Sequence, residues 1–364
     1  MSDPQEKLQK LRGSLPAEEP GARGMEHMAR NTNCLRLSAL TIAGVNPATA
    51  SQQVYDTPVR EGLSPFAIRR GERFEAALFE DGCKRMFDLY GRANRLPEEQ
   101  SKWIDMSQKV PGTDNASMQA RRQASEQLIQ DRAAGKKGLP NIIIKPRLQV
   151  QLMGAGRPTE PDALVAADDD LLYRPVEIKS YADRNSMTDA SKTGSACRQA
   201  SVAVIALQQL LGDAIPVPRI VDLIFAKPAT NWPTLHVMDV QGEVLNLHNV
   251  FSQAPESLQK IEALLAGKSL DSSEGLDLLP NHLCADCADH CPLWDCCRTA
   301  AIERGDIGLL GDHAKEMLSG ISSIDEAVEL QKLGSNDDAD LDLLAALLHE
   351  ADQAHQKVME DETS

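Results

Sequence analysis

The stretch EPDALVAADDDLLYRPVEIKSY, residues 160–181, sets Asp162, Glu177 and Lys179 into two otherwise apolar runs. Two carboxylates that face each other repel unless a cation stands between them, and a hard divalent ion is the common answer. A lysine beside such an ion can position or deprotonate a water. Spread over a solvated sheet face, the same residues would be ordinary surface charges, so their placement has to be argued. The runs 162–167 and 171–178 each have strand composition, and Asp168, Asp169 and Asp170 supply turn chemistry between them. With the turn centred between Asp169 and Asp170, paired positions sum to 339 and Asp162 falls opposite Glu177. Lys179, two residues on, shares the face of Glu177 because side chains alternate along a strand.

Cysteines form a second constellation. CADCADHCPLWDCCR contains Cys284, Cys287, Cys291, Cys296 and Cys297, and Cys34 lies about 250 residues earlier. Soft thiolates at such spacings bind iron–sulfur clusters or zinc. Zinc held by four of the five C-terminal cysteines would need no help from Cys34. Cys83 and Cys197 stand apart and are expected to be buried as small hydrophobes.

The elements that must position these groups can be read around them. Residues 1–29 are rich in Pro, Gly and Glu without clear periodicity and are expected to be mobile. SPFAIRRGERFEAALFEDGCKRMF has helical spacing, opening near Ser64-Pro65 or Gly71, with Phe74 and Leu78 on one face and a stop at Gly82. ASMQARRQASEQLIQDRAAGKKG predicts a second helix, and NIIIKPRLQVQL predicts one alternating strand. After the hairpin, SACRQASVAVIALQQLLG predicts a helix with Gly212 just past its end. PRIVDLIFAKP and TLHVMDVQG are further strands, giving a mixed α/β core. Residues 301–364 are expected to be an acidic helical segment ending, from Ser335, in a tail.

Composition narrows the function classes. Of the 364 residues, 42% are hydrophobic, which fits a globular chain. Only 4% are aromatic, so stacking of bases on aromatic platforms is not the obvious mode of nucleic-acid binding. The opening MSDPQEKLQKLRG has no apolar leader and no run reaches membrane-spanning length, so a cytoplasmic protein without a membrane partner is expected. Eight cysteines in that setting point to reduced thiols or metal ligands. The net charge of −16 is unevenly spread. Residues 1–150 carry 23 Lys/Arg against 18 Asp/Glu, whereas residues 231–364 carry 7 against 26. The basic half can meet phosphate; the acidic end can solubilise, bind a basic partner or compete with nucleic acid.

Taken in order, these pieces resemble the PD-(D/E)XK nuclease superfamily, and within it the RecB-type and CRISPR-adaptation exonucleases that carry an iron–sulfur cluster. Pro161-Asp162 and Glu177-Ile178-Lys179 match the motif for which the superfamily is named. Gly71 and Glu75 are similar to its first-helix motif, and Gln199 to the glutamine of its Gln-x-x-x-Tyr motif. The tyrosine of that last motif is replaced by Ala203. The resemblance covers residues 30–300 as motifs in order. It implies a restriction-endonuclease-like core, a mixed central sheet flanked by helices, with a cysteine-ligated cluster. It implies Mg²⁺ or Mn²⁺ held by Glu75, Asp162, Glu177 and the backbone carbonyl of Ile178, with Lys179 orienting the attacking water and Gln199 supporting the site. It implies a 4Fe-4S cluster on Cys34, Cys287, Cys291 and Cys297, with Cys284 as the substitute for Cys287 and zinc as the alternative. DNA, single-stranded or at duplex ends, is the implied substrate, and a helicase or defence-complex protein an expected partner, in repair, CRISPR adaptation or anti-phage defence. Arg69, Arg70, Arg73, Arg121, Arg122, Lys136 and Lys137 are candidate phosphate contacts. The competing reading is a non-cleaving DNA-end-binding or assembly subunit that uses fold and cluster structurally.

Overall fold

The structure, a computed structural model, describes residues 4–18, 21–57, 65–93, 95–96, 102–183, 189–228, 230, 232–284 and 287–363. Four short helices lead, α1 (Pro4–Arg12), α2 (Ala22–Arg30), α3 (Leu35–Ala43) and α4 (Pro47–Tyr55), followed by α5 (Pro65–Arg92). Then come β1 (Trp103–Asp105), α6 (Met106–Lys109), α7 (Asn115–Ala133), β2 (Ile142–Ile144), β3 (Leu148–Leu152), β4 (Ala155–Thr159), β5 (Ala163–Val165) and β6 (Arg174–Ala182). The core closes with α8 (Ala190–Leu211), β7 (Ile220–Ala226), β8 (Pro233–Asp239) and α9 (Gln241–Leu265). Beyond it lie α10 (Ser273–Leu278), α11 (Cys287–His290), α12 (Trp294–Glu303), α13 (Asp312–Met317), α14 (Ile324–Leu333) and α15 (Ala339–Thr363).

Six strands form a mixed sheet in the order β1-β2-β5-β6-β7-β8, parallel at β1/β2 and β6/β7 and antiparallel elsewhere. Alternation assigns the faces. Ile143, Leu164, Leu223 and Phe225 join the buried side of α8 and α9, while Ile142, Ile144, Val176, Ile178 and Ile224 pack against Phe74, Leu78 and Met86 of α5. Helix α8 is buried along most of its length, from Ser195 to Leu207, because the sheet lies on one side of it and α2 and α9 on another. Asp189 caps its start by accepting from the Lys192 N–H, and Gly212 ends it at φ 70° as expected.

Several expectations meet the structure with changes. The run NIIIKPRLQVQL is not one strand: Pro146 lacks an amide donor and Lys145 adopts φ 47°, so the chain turns and β3 pairs with β4 in a separate two-stranded sheet. Helix α5 begins at Pro65, Ser64 lying outside the described residues, and it breaks at Glu80–Cys83, where Asp81, Gly82 and Cys83 all have positive φ. The stop near Gly82 is therefore real, but a second helical stretch follows it. The mobile lead expected for residues 1–29 is corrected over its described residues, 4–18 and 21–29. Apolar residues at helical spacing bury Leu8, Leu11, Met25 and Met28 at 5% exposure or less. Leu8, Leu11 and Met28 do so in a second, mainly helical core with α3, α9 and α10 that Leu152 of β3 also joins, while Met25 packs into the core between the sheet and α8. The expected tail from Ser335 is corrected too: α15 packs on α14, and Ala345 closes a small satellite core with Leu318, Ile321 and Leu330. Among the described residues no helix is long and apolar enough to cross a membrane.

Candidate functional site

Strands β5 and β6 pair as Ala163↔Val176, Leu164↔Pro175 and Val165↔Arg174, the register that sets Asp162 opposite Glu177. Since Val176 and Ile178 face α5, Glu177 and Lys179 face α8. The Ile178 N–H donates to Asp162 Oδ2 at 2.6 Å and fixes the carboxylate across the hairpin. Lys179 Nζ lies 2.6 Å from Glu177 Oε1 and donates to Gln199 Oε1 at 3.1 Å, bringing α8 into the patch. Gln199 in turn donates to Ser195 Oγ at 3.4 Å, one helical turn back. Glu75 arrives from α5 and meets Lys145 Nζ at 3.2 Å, while the Lys145 N–H bonds the Asp162 carbonyl at 3.0 Å. Four separate elements thus deliver Glu75, Asp162, Glu177, Lys179 and Gln199 to one patch.

The patch carries unbalanced charge. Glu177 is 8% exposed. Burial, and then the Glu177 charge beside it, push the Asp162 carboxyl well above the usual carboxylate range, against the opposing pull of Lys179 and the Ile178 N–H. Burial works against the Lys179 ammonium, yet Glu177 and Asp162 outweigh it and raise its pKa. Lys145 is raised in the same way, burial being overcome by Glu75 and more distant carboxylates. Two lysines face three carboxylates, so a hard cation matches what the donor set lacks. Among the described residues no three His, Cys, Asp or Glu side chains already stand as a closed ligand set. Glu177, turned to Lys179, would have to reorient to bind an ion.

The cysteines gather about 250 residues of chain. Asn31, just past α2, donates to the His282 carbonyl at 2.8 Å and reaches Cys284 Sγ at 3.5 Å and Cys287 Sγ at 3.6 Å. Those two sulfurs are 3.4 Å apart. The Arg36 N–H bonds the Pro280 carbonyl at 3.3 Å, and the buried Arg36 guanidinium donates to Cys297 Sγ at 3.6 Å. Cys291 and Cys297 each lie within electrostatic reach of Cys34. Burial pushes the Cys291 thiol up to about 12 and raises Cys297; hydrogen bonding to Cys284, then burial, raises Cys287. A soft metal that displaces these protons gains a site where amide and guanidinium donors already point at sulfur. Cys296 is turned aside, toward Thr57 Oγ1 at 3.2 Å and Ser51 Oγ at 3.6 Å. Cys83 and Cys197 are core residues, as expected.

The basic residues sort differently from their sequence reading. Arg69, Arg70, Arg73 and Lys137 are exposed. Lys136 is held by Asp131 at 2.8 Å. Arg121 is corrected: it is 6% exposed, and its guanidinium caps the Val110 and Gly112 carbonyls, so it is a structural residue unable to reach a phosphate. Sequence reasoning missed Lys145, Arg147, Asn31 and Arg36. The signal for the first two was the Lys-Pro-Arg step that ends the Ile-Ile-Ile run; Asn31 and Arg36 had none beyond nearness to Cys34. No family model matches this chain, and no curated protein matches it.

Proposed function

We propose that the chain is a metal-dependent nuclease of the PD-(D/E)XK type that hydrolyses phosphodiester bonds of DNA. One observation carries the reading: Glu75, Asp162, Glu177, Lys179 and Gln199, scattered over 125 positions of sequence, meet on a single half-buried, acid-rich patch. Asp162 and Glu177, with Glu75 and the Ile178 carbonyl, would hold Mg²⁺ or Mn²⁺, which would supply positive charge to offset that developing on the phosphate oxygens. Without a metal, Lys179 is held as an ammonium because its carboxylate neighbours outweigh its burial. Beside the ion it would orient the attacking water or donate to a phosphate oxygen. Gln199 fixes the direction of that ammonium. Cys34, Cys291 and Cys297 with Cys287 or Cys284 would bind a four-iron cluster that ties α3 to the segment after α10; zinc on four of the five C-terminal cysteines is the alternative.

The test is incubation of the purified full chain with end-labelled single-stranded and duplex DNA in Mn²⁺, beside Lys179→Ala. Metal-dependent cleavage that disappears in the variant supports the reading. Tight DNA binding without cleavage would replace it by the non-cleaving, assembly role.

A further inference from the structure

A concave pocket of about 380 Å³ opens between α7 and the β3–β4 hairpin, within the size range of ligand clefts. Its wall carries two guanidiniums, Arg122 and Arg147, and three carboxamides, Asn115, Gln119 and Gln149, with Met118 and Pro158 as apolar surface. Cationic forks suit phosphate oxygens, carboxamides suit sugar and base edges, and the apolar pair can take a base face.

The position of the pocket says more than its lining. Arg147 is two residues after Lys145, and Glu160, its partner at 3.4 Å, is two residues before Asp162. The segments that carry Lys145 and Asp162 therefore continue toward the pocket, which Arg147 and Pro158 line. Two residues of chain reach at most about 7 Å, so the backbones of Arg147 and Glu160 stand within about one extended nucleotide of those of Lys145 and Asp162. Each arginine has a long ion pair. Glu160 lies 3.4 Å from Arg147 and Glu126 lies 3.8 Å from Arg122, both longer than a good charge-assisted bond of about 2.8 Å. A phosphate can compete for those forks.

We infer that this pocket is a strand-binding subsite that holds one nucleotide next to the scissile phosphate, with Arg122 and Arg147 on its backbone. The inference rests on the nuclease reading for its neighbour but is tested by binding. The full chain, Arg122→Ala/Arg147→Ala and Gln119→Glu are titrated with a fluorescent oligodeoxythymidylate in Ca²⁺ across a salt series, and wild-type cleavage in Mn²⁺ is measured on the same preparation. The double variant should bind roughly tenfold more weakly, and its log affinity against log salt should flatten by about 1.4, the release expected from two lost single-strand contacts. Gln119→Glu, which keeps both arginines and their partners, should also bind more weakly; it decides the matter if the double variant fails to fold. Unchanged affinity in the variants beside normal wild-type cleavage overturns the subsite and leaves the nuclease standing. Weakened variants beside a wild type that does not cleave support the subsite and overturn the nuclease. A wild type that binds no oligonucleotide overturns the subsite outright.

Discussion

Asp162→Asn isolates the charge on which the candidate metal site depends. In the folded chain Asp162 is half-buried and desolvated beside Glu177, and Lys179, the cation that opposes this, is engaged with Glu177 at 2.6 Å. The carboxyl therefore holds its proton more tightly in the folded than in the unfolded chain. Such a group costs nothing at low pH, where both states are protonated. Stability is lost as pH rises from the ordinary carboxylate range through the raised folded-state value, and stays lost above it. Each tenfold difference in proton affinity between the two states is worth about 1.4 kcal/mol. Asparagine keeps an oxygen for the Ile178 N–H and carries no charge, so it escapes this loss. Metal-free Asp162→Asn should melt above wild type at neutral pH, by about 2 °C or more for each tenfold difference, and the two curves should converge at roughly pH 4. Mn²⁺ at about 100 times its Kd should stabilise wild type by ~2.7 kcal/mol and the variant far less. Thermal melts followed by circular dichroism, with and without Mn²⁺, measure both effects. A variant less stable than wild type at neutral pH without metal, or one equally stabilised by Mn²⁺, would refute the reasoning.

Other outcomes follow from the same geometry. Lys179→Ala should lower the cleavage rate by about 10²-fold or more while keeping the Mn²⁺-induced rise in melting temperature, because Lys179 offers no ligand to the ion. Cys34→Ser should lose the brown colour and the absorbance near about 400 nm expected of anaerobically purified protein, and with it soluble yield, because the cluster closes a loop around the whole sheet. Cys83→Ala, altered inside the α5 core, should keep the colour; a colourless wild type containing one zinc would move the site to the alternative metal. Leu330→Ala, at a 4% exposed position, should cost about 2–4 kcal/mol locally. Hydrogen exchange should then rise in α14 and α15 and leave β5 and β6 protected, since the satellite core is separate from the sheet.

The parts legible in the sequence were those fixed by short-range rules. Alternation and a three-aspartate turn gave the β5/β6 register to the residue, and Gly212 marked the end of α8. Helix α5 was legible through Phe74 and Leu78. What was not legible depended on long-range burial. The Pro/Gly-rich lead hides Leu8, Leu11 and Met28, whose helical spacing matters only because α3 and α9 offer surfaces to cover, and α9 itself, with Pro255 inside it, went unread. The strand break at Lys145 needed a positive φ that lysine rarely adopts. Arg121 read as a surface cation because nothing in its helix shows that two carbonyls, eleven and nine residues upstream, turn back onto it. The candidate site was more legible than the fold around it: all five residues expected to act together share the patch, while the residues that steer the cysteines, Asn31 and Arg36, emerge only from the packing of α2 and α3 against the C-terminal loop.

The central claim, a metal-dependent phosphodiesterase built on Asp162 and Glu177, is met most directly by one comparison. Wild type and Glu177→Gln are incubated with labelled single-stranded DNA in Mn²⁺ and then in excess EDTA. Cleavage by wild type that EDTA stops, and no cleavage by Glu177→Gln despite a folded protein, is the predicted result. Undiminished cleavage by Glu177→Gln, or cleavage that persists in EDTA, would contradict it.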